Sequence, residues 1–395
     1  MTGDGVLIVG GGLASQRAIE TLRARGYEGR IQLVCGEAEL PYDRPPLSKG
    51  LLSGRTHESE IGFRSARWYA DQQVELILGH RATALDEKRR RVRLDDGREL
   101  AYEALLIATG GAPRILPSLA RYSNVRFLRT LADARRLRDE LREGARLTIV
   151  GAGFIGQEVA ATARAACAQV TLVEALPAPL GSLLGDGIGR WLMRMHAEEG
   201  VDVRLSTRLE GARGNGTVEE LRLSDGRTLA CDTVVVGIGV APAASWLAGS
   251  RLGTDGVITD QRGRTVVPDV FAAGDVTRRF DPRVGEHRRS EHWDAAARQG
   301  AAAAGAMLGE RPDPAPAPSF WSDQYGLRIQ YTGYADHSDE ATLEGDLDER
   351  CFSVVYTREG RPVGALTVND PRAYARLRRE VEATFGQQNT EKEQR

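Results

Sequence analysis

Short, wholly apolar runs alternate with segments of helical periodicity along most of this chain. Residues 5–10, around VLIVG, are apolar at successive positions. That is the pattern of a strand buried on both faces of a parallel sheet. Residues 13–25 carry helical spacing and stop at Gly26, where a C-terminal cap belongs. IQLVCGE (31–37) is a second strand and completes a β–α–β unit. YEALLIATGGAPR (102–114) is another buried strand that closes in a Gly- and Pro-rich turn, and RTLADARRLRDELREG (129–144) predicts a helix ending at Gly144. A second β–α–β unit runs from Leu147 to Glu174, and CDTVVVGIGVAP (231–242) marks the return to the first domain. RPDPAPAPSF (311–320) has Pro at alternate positions and predicts a semi-rigid linker. After it, FWSDQYGLRIQYTGYA, ERCFSVVYTREG and RPVGALTVN read as antiparallel strands, with REG as a hairpin turn. PRAYARLRREVEATF (371–385) predicts a helix, and the polar GQQNTEKEQR (386–395) a disordered tail. The fold class expected is α/β, with two doubly wound nucleotide-binding domains and a small C-terminal α+β domain. The boundaries expected are 1–112 with 240–312, 113–239 and 313–385.

Two of the strand-to-helix junctions carry dinucleotide-binding fingerprints. VLIVGGGLAS places Gly10 and Gly12 at the glycine positions, with Ser15 in place of the third glycine. LTIVGAGFIG is complete, with Gly151, Gly153 and Gly156. In such turns glycine lets the backbone approach a pyrophosphate, which then sits on the helix N-terminus. TVVPDVFAAGDVT adds a flavin-type segment ending in Gly274-Asp275. Two nucleotide folds with that segment point to an enzyme that holds a flavin and a nicotinamide together. A ribose-binding acid is expected where each second strand ends. Glu37 and Glu39 are both candidates for the first site, and Glu174, ending VTLVE, serves the second. A carboxylate at Glu174 bonds a ribose 2′-hydroxyl and repels a 2′-phosphate, so NADH is expected over NADPH. In PYDRPPLSKG (41–50) two prolines stiffen a loop that carries Arg44 and Lys49, cations able to face a pyrophosphate or a flavin ring.

Composition narrows the remaining possibilities. The length of 395 residues suits two or three domains, and 41% hydrophobic with 27% charged residues is ordinary for a globular protein. A net charge of −2 gives no general attraction to nucleic acid or anionic membrane. No apolar run reaches the roughly 20 residues that span a bilayer. The chain runs straight into its first strand, so no secretory signal is expected, and a cytoplasmic setting follows. Cys35, Cys167, Cys231 and Cys351 form no CxxC pair, which argues against a disulfide framework, a zinc site and a dithiol redox centre. Cys35 and Cys167 read as small core residues. The six histidines are scattered, and no metal is expected.

PYDRPPLSKG, together with VGGGLAS, LLIATGGAPR, VGAGFIGQEVAATA, VFAAGDVT, EHWDAAARQG and FWSDQYGLRIQ, closely resembles the bacterial NADH-dependent ferredoxin reductases. These flavoproteins belong to the glutathione-reductase-like superfamily and serve Rieske-type dioxygenases and some cytochromes P450. The likeness covers residues 5 to about 380 in the same order. It implies FAD contacts at Ala14, Lys49, Ala82, Thr109, Arg129, Asp275 and Trp293, extended to Ala108, Gly110, Gly274, Glu291 and His292. It implies NAD contacts at Phe154, Ile155, Glu158 and Gly239 beside the second fingerprint, and it puts Lys49 and Glu158 near the flavin N5 edge and the nicotinamide. Some relatives place the ribose acid where this chain has Gly36, one residue before Glu37.

The activity this implies is hydride transfer from NADH to FAD, followed by single electrons to a separate carrier. No iron–sulfur ligand set lies on the chain, so the implied partner is a 2Fe–2S ferredoxin, Rieske-type or plant-type, and through it a terminal oxygenase. Arg278, Arg279, Arg283, Arg288 and Arg289, and Arg372, Arg376, Arg378 and Arg379, are candidate basic docking faces. Trp321 is either an aromatic between flavin and partner or a core residue. The alternatives are a monodehydroascorbate-reductase-like or NADH-oxidase-like enzyme of small acceptors, and an apoptosis-inducing-factor-like NADH-responsive flavoprotein.

Overall fold

The computed structural model describes residues 5–310 and 316–393. The chain divides into two units: Met1–Asp43, Ser59–Ala112 and Ala241–Pro318 form the first, and Arg44–Glu58, Pro113–Val240 and Ser319–Arg395 the second. The proline-rich segment 311–315 lies outside the described residues.

The first unit is organised by a five-stranded parallel sheet ordered Val270–Ala272, Ala104–Ile107, Val6–Val9, Ile31–Cys35, Val74–Leu78. Val6–Val9 lies at its centre and is buried at every position, which is why its sequence does not alternate. The helix Leu13–Ala24 follows it and packs against the helix Trp293–Met307. A Cβ added to Gly300 would lie 2.0 Å from the Ala14 carbonyl oxygen. Gly300→Val is therefore expected to force the two helices apart and cost about 1–3 kcal/mol. A lowered thermal unfolding midpoint checks this, and an unchanged one contradicts the packing described.

The second unit repeats the design. Its parallel sheet is ordered Asp202–Arg204, Gln169–Val173, Arg146–Val150, Thr233–Val236, Val125–Arg126. The helix Phe154–Ala165 follows the central strand. Each unit also carries a three-stranded antiparallel meander, at residues 82–101 and 209–230. RLDDGRELA (93–101) and RLSDGRTLA (222–230) build the same tight turn in both, with Gly97 at φ 87° and Gly226 at φ 81°. Only glycine enters that region without strain.

The second unit also contains a five-stranded antiparallel sheet ordered Ser319–Gln324, Leu327–Gly333, Arg361–Val368, Cys351–Arg358, Glu340–Asp346. The final helix packs on it and spans Pro371–Glu393, past residue 385 where the sequence pattern ends it. Residues 394 and 395 lie outside the described residues. Cys35 is buried as expected, but Cys167 is exposed, in a left-handed turn (φ 58°) just after the helix Phe154–Ala165.

Candidate functional site

The two glycine turns share one local geometry. Gly10 has φ 121°, and a Cβ there would lie 2.1 Å from the Ala108 carbonyl oxygen; Gly151 has φ 103°, with Gly237 O 2.5 Å away. Each turn thus packs directly on the neighbouring strand end. Gly156 supplies close approach in the second turn, since a Cβ would meet Gly151 O at 2.1 Å. At the equivalent position of the first turn the Ser15 hydroxyl donates to the Gly10 carbonyl, so a small polar residue does the packing a third glycine does elsewhere.

Both turns end in an open helix N-terminus. Gly12 and Gly153 are the N-caps, neither supplies a side-chain cap, and no acidic residue occupies either first turn. A Cβ at Gly12 would meet nothing within 4 Å, and one at Gly153 only Gly237 O at 3.9 Å. The helix Trp293–Met307 also lacks a side-chain cap, with His292 at its N-cap. By contrast, the helix Leu131–Glu140 has a full capping box from Thr130 and Asp133. Free N-terminal amides with open space before them fit the phosphates of a dinucleotide. The residues present therefore fit a dinucleotide at each of the two turns.

In the first unit Gly10, Gly12, Ala14, Ala108, Thr109 and Gly110 gather at the ends of neighbouring sheet strands. The Thr109 hydroxyl donates to Ala243 O (2.7 Å), and Ala243 N donates to Gly110 O (2.9 Å). Glu37 accepts from the Tyr42 hydroxyl. Ala82 opens the meander strand Ala82–Asp86. The Gly274 amide donates to Gln299 Oε1 (2.8 Å), which also accepts from the Thr277 hydroxyl (3.0 Å), so Gln299 holds the Gly-Asp segment in shape. Trp293 Nε1 donates to Asp43 (2.7 Å), and exposed Glu291 pairs with Arg289 (2.6 Å). Burial lowers the His292 pKa against the opposing pull of Asp275 and Asp294, so its ring is neutral at pH 7.

In the second unit Glu174 Oε2 accepts from Ala152 N (2.8 Å) and Oε1 from Leu176 N (2.9 Å). The acid thereby fixes the glycine turn while keeping lone pairs for a ribose hydroxyl. Phe154 packs on Phe320 with ring centroids 4.8 Å apart, Ile155 is 46% exposed, and Gly239 accepts through its carbonyl from Arg114 N (3.0 Å). Arg44 donates to the Arg129 carbonyl, which joins these two candidates directly.

Lys49 and Glu158 also meet in this unit. Lys49 Nζ is 2.7 Å from Glu158 Oε2, with the carboxylate 3% exposed. Glu158 accepts further from Ser48 Oγ (2.5 Å, on Oε2) and Ser322 Oγ (2.6 Å, on Oε1). A buried carboxylate is tolerated only with such partners. The loop is pinned at this point, because Thr162 Oγ1 donates to Ser48 O (2.7 Å).

Sequence reasoning missed Ser48, Ser322, Gln299 and Asp43. No sequence signal marks Ser322: in FWSDQ the inward positions of the strand are Phe320, Ser322 and Gln324, two of them polar, and their burial shows only in the sheet. Several arginines of the candidate basic faces are paired locally. Arg283 pairs with Asp281, Arg288 with Glu286, Arg376 with Glu344 and Glu380, and Arg378 with Glu382, while Arg279 donates to Gln261 O. Trp321 is half-buried beneath the Arg328 guanidinium (5.1 Å). Burial pushes the Cys231 thiol up to about 11, which leaves it protonated and unreactive at pH 7.

Residues 4–300 match the pyridine nucleotide-disulphide oxidoreductase family, and residues 319–391 match the reductase C-terminal family. The chain belongs to the pyridine nucleotide-disulphide oxidoreductase family. Within that family it is 38% identical to the ferredoxin–NAD(+) reductase component of the anthranilate 1,2-dioxygenase system of Burkholderia cepacia, over 97% of this chain and 95% of the relative. It is 35% identical to putidaredoxin reductase of Pseudomonas putida, over 93% and 89%. Its fold matches putidaredoxin reductase in a covalent complex with putidaredoxin, with a TM-score of 0.93, 34% identity, and 96% and 93% of the two chains covered. No described helix is long and apolar enough to cross a membrane.

Proposed function

We propose that this family member is an NADH:ferredoxin oxidoreductase that feeds electrons to an oxygenase through a separate 2Fe–2S ferredoxin. The observation that carries the reading is the end-to-end match, C-terminal domain included, to ferredoxin–NAD(+) reductase components of dioxygenase systems. It is an FAD-dependent oxidoreductase that uses NADH. When bound, FAD supplies the chemistry: it takes a hydride as a pair of electrons and gives them up singly.

The residues divide between binding and tuning. Gly10, Gly12, Ala14, Glu37, Ala82, Ala108, Thr109, Gly110, Gly274, Asp275, Glu291, His292 and Trp293 serve FAD in a domain spanning 1–112 and 240–312. Gly151, Gly153, Phe154, Ile155, Gly156, Glu174 and Gly239 serve NADH in a domain spanning 113–239. Arg44, Arg129, Lys49 and Glu158 complete the set. The Lys49–Glu158 pair serves the hydride step, supported by its burial and its fixed geometry. Localisation in the cytoplasm fits an enzyme that draws on NADH and whose described cysteines form no disulfide.

The test is to load the protein with FAD and mix it with NADH without oxygen. Flavin bleaching faster with NADH than with NADPH supports the reading. A protein that retains no flavin, or whose flavin is not bleached, contradicts it.

A further inference from the structure

A chain of buried polar groups leads away from Glu158. Ser322 and His196 are fully buried, and Gln324 and Glu158 are 1% and 3% exposed. The Gln324 amide nitrogen donates to Ser322 Oγ (3.0 Å) and reaches Gln157 Oε1 (3.4 Å). His196 Nε2 lies 3.0 Å from Gln324 Oε1, and His196 Nδ1 lies 2.8 Å from the Tyr325 hydroxyl. Ser322, Gln324 and Tyr325 come from one strand and its turn, and His196 from the helix Asp186–Glu198.

The direction of every bond is fixed from one end. Gln157 Nε2 donates to the Ala152 carbonyl (2.8 Å), a group that only accepts, so Gln157 turns its oxygen toward Gln324. Gln324 must meet that oxygen and Ser322 with its amide nitrogen, which leaves its own oxygen facing His196. His196 Nε2 must then carry the ring proton. Burial lowers the His196 pKa to about 4, so the ring is neutral at pH 7 and Nδ1 accepts from the Tyr325 hydroxyl. Ser322, already accepting from Gln324, has its hydroxyl proton left for Glu158. Tyr325 sits at φ 51° in a two-residue hairpin turn with Gly326 at φ 78°. A bulky side chain is uncommon there, and its hydroxyl contact with His196 accounts for the choice.

We infer that Tyr325, His196, Gln324 and Ser322 form a one-way donor relay that positions Glu158 as an acceptor beside Lys49 for hydride transfer. This rests on the function proposed above. None of the four is a catalytic residue; they act through Glu158. The charged groups that face the relay are Glu199 just past the His196 helix, Arg164 on the helix Phe154–Ala165, and Arg350. Arg350 is itself paired with Glu198 and Glu199. Their charges offset one another, so the relay keeps its direction through neutral pH.

Two measurements test the inference. On the chain without NADH, histidine ring 15N resonances report the tautomer, with the His196 signal assigned by its loss in His196→Gln. The expected form is neutral with the proton on Nε2; a proton on Nδ1, or a charged ring at pH 7, overturns the relay. On the FAD-loaded protein, anaerobic stopped flow reads the limiting bleaching rate and the NADH dissociation constant. Ser322→Ala is expected to lower the rate about tenfold, with the NADH constant changed less than about twofold, in line with one lost bond to a charged group. His196→Phe is expected to lower it roughly threefold. His196→Gln, which keeps a donor near the Nε2 position, is expected to stay within about twofold of the parent. Equal loss in the Phe and Gln variants, or no loss in Ser322→Ala, overturns the inference. A parent protein that is never bleached by NADH sinks the functional reading instead, and the tautomer measurement still decides the relay.

Discussion

Glu158→Ala is expected to lower both stability and NADH-dependent flavin reduction by the largest margin of any single change at the site. The carboxylate is 3% exposed and holds the Lys49 ammonium and the Ser48 and Ser322 hydroxyls. Removing it strands a largely buried cation and orphans two donors. Breaking one partner of a buried pair costs about 3–5 kcal/mol. Loss of a preorganised electrostatic group lowers a chemical step on the order of a hundredfold. Chemical denaturation and anaerobic bleaching with NADH measure the two effects separately. Glu158→Gln keeps the shape and one good acceptor, so it is expected to recover most of the stability and less of the rate. A variant with Ala that unfolds within about 1 kcal/mol of the parent would show that Lys49 finds solvent readily and that the pair is not structural.

The second large effect concerns coenzyme choice. The parent enzyme is expected to favour NADH over NADPH by about tenfold or more in kcat/KM, because Glu174 accepts from a ribose 2′-hydroxyl and repels a 2′-phosphate. In the structure the same carboxylate holds Ala152 N and Leu176 N. Glu174→Ala thus removes two functions. Coenzyme preference should approach unity, and kcat/KM for NADH itself should fall about tenfold as the glycine turn loosens. Glu174→Gln separates them: its oxygen still accepts from one amide, while the repulsion disappears. Preference for NADH left intact in both variants would assign the discrimination to another residue.

The parallel sheets and glycine turns were legible because each rests on local rules. Val6–Val9 and Arg146–Val150 are apolar runs buried by sheet neighbours, and the turns after them need glycine where a Cβ would strike the next strand. The two meanders were not read from the sequence; their repeated RL-x-DGR-x-LA segments stand out only when the halves of the chain are set side by side. The setting of Glu158 was not legible either. Its partners are Lys49, Ser48 and Ser322, and the last is 164 positions away along the chain. A serine or glutamine in a strand looks solvent-facing until the sheet shows which face is buried. A count of charges alone leaves out the carboxylates that pair with several of the clustered arginines, among them Asp281, Glu286 and Glu382.

On the proposed function, electrons leave this protein for an iron–sulfur protein and not for a small acceptor. The most direct measurement follows cytochrome c reduction by the FAD-loaded enzyme with NADH, with and without a 2Fe–2S ferredoxin. Reduction that depends on ferredoxin and saturates with it is the predicted result. Rapid bleaching followed by transfer to quinones, radicals or oxygen, with no gain from ferredoxin, would contradict the account.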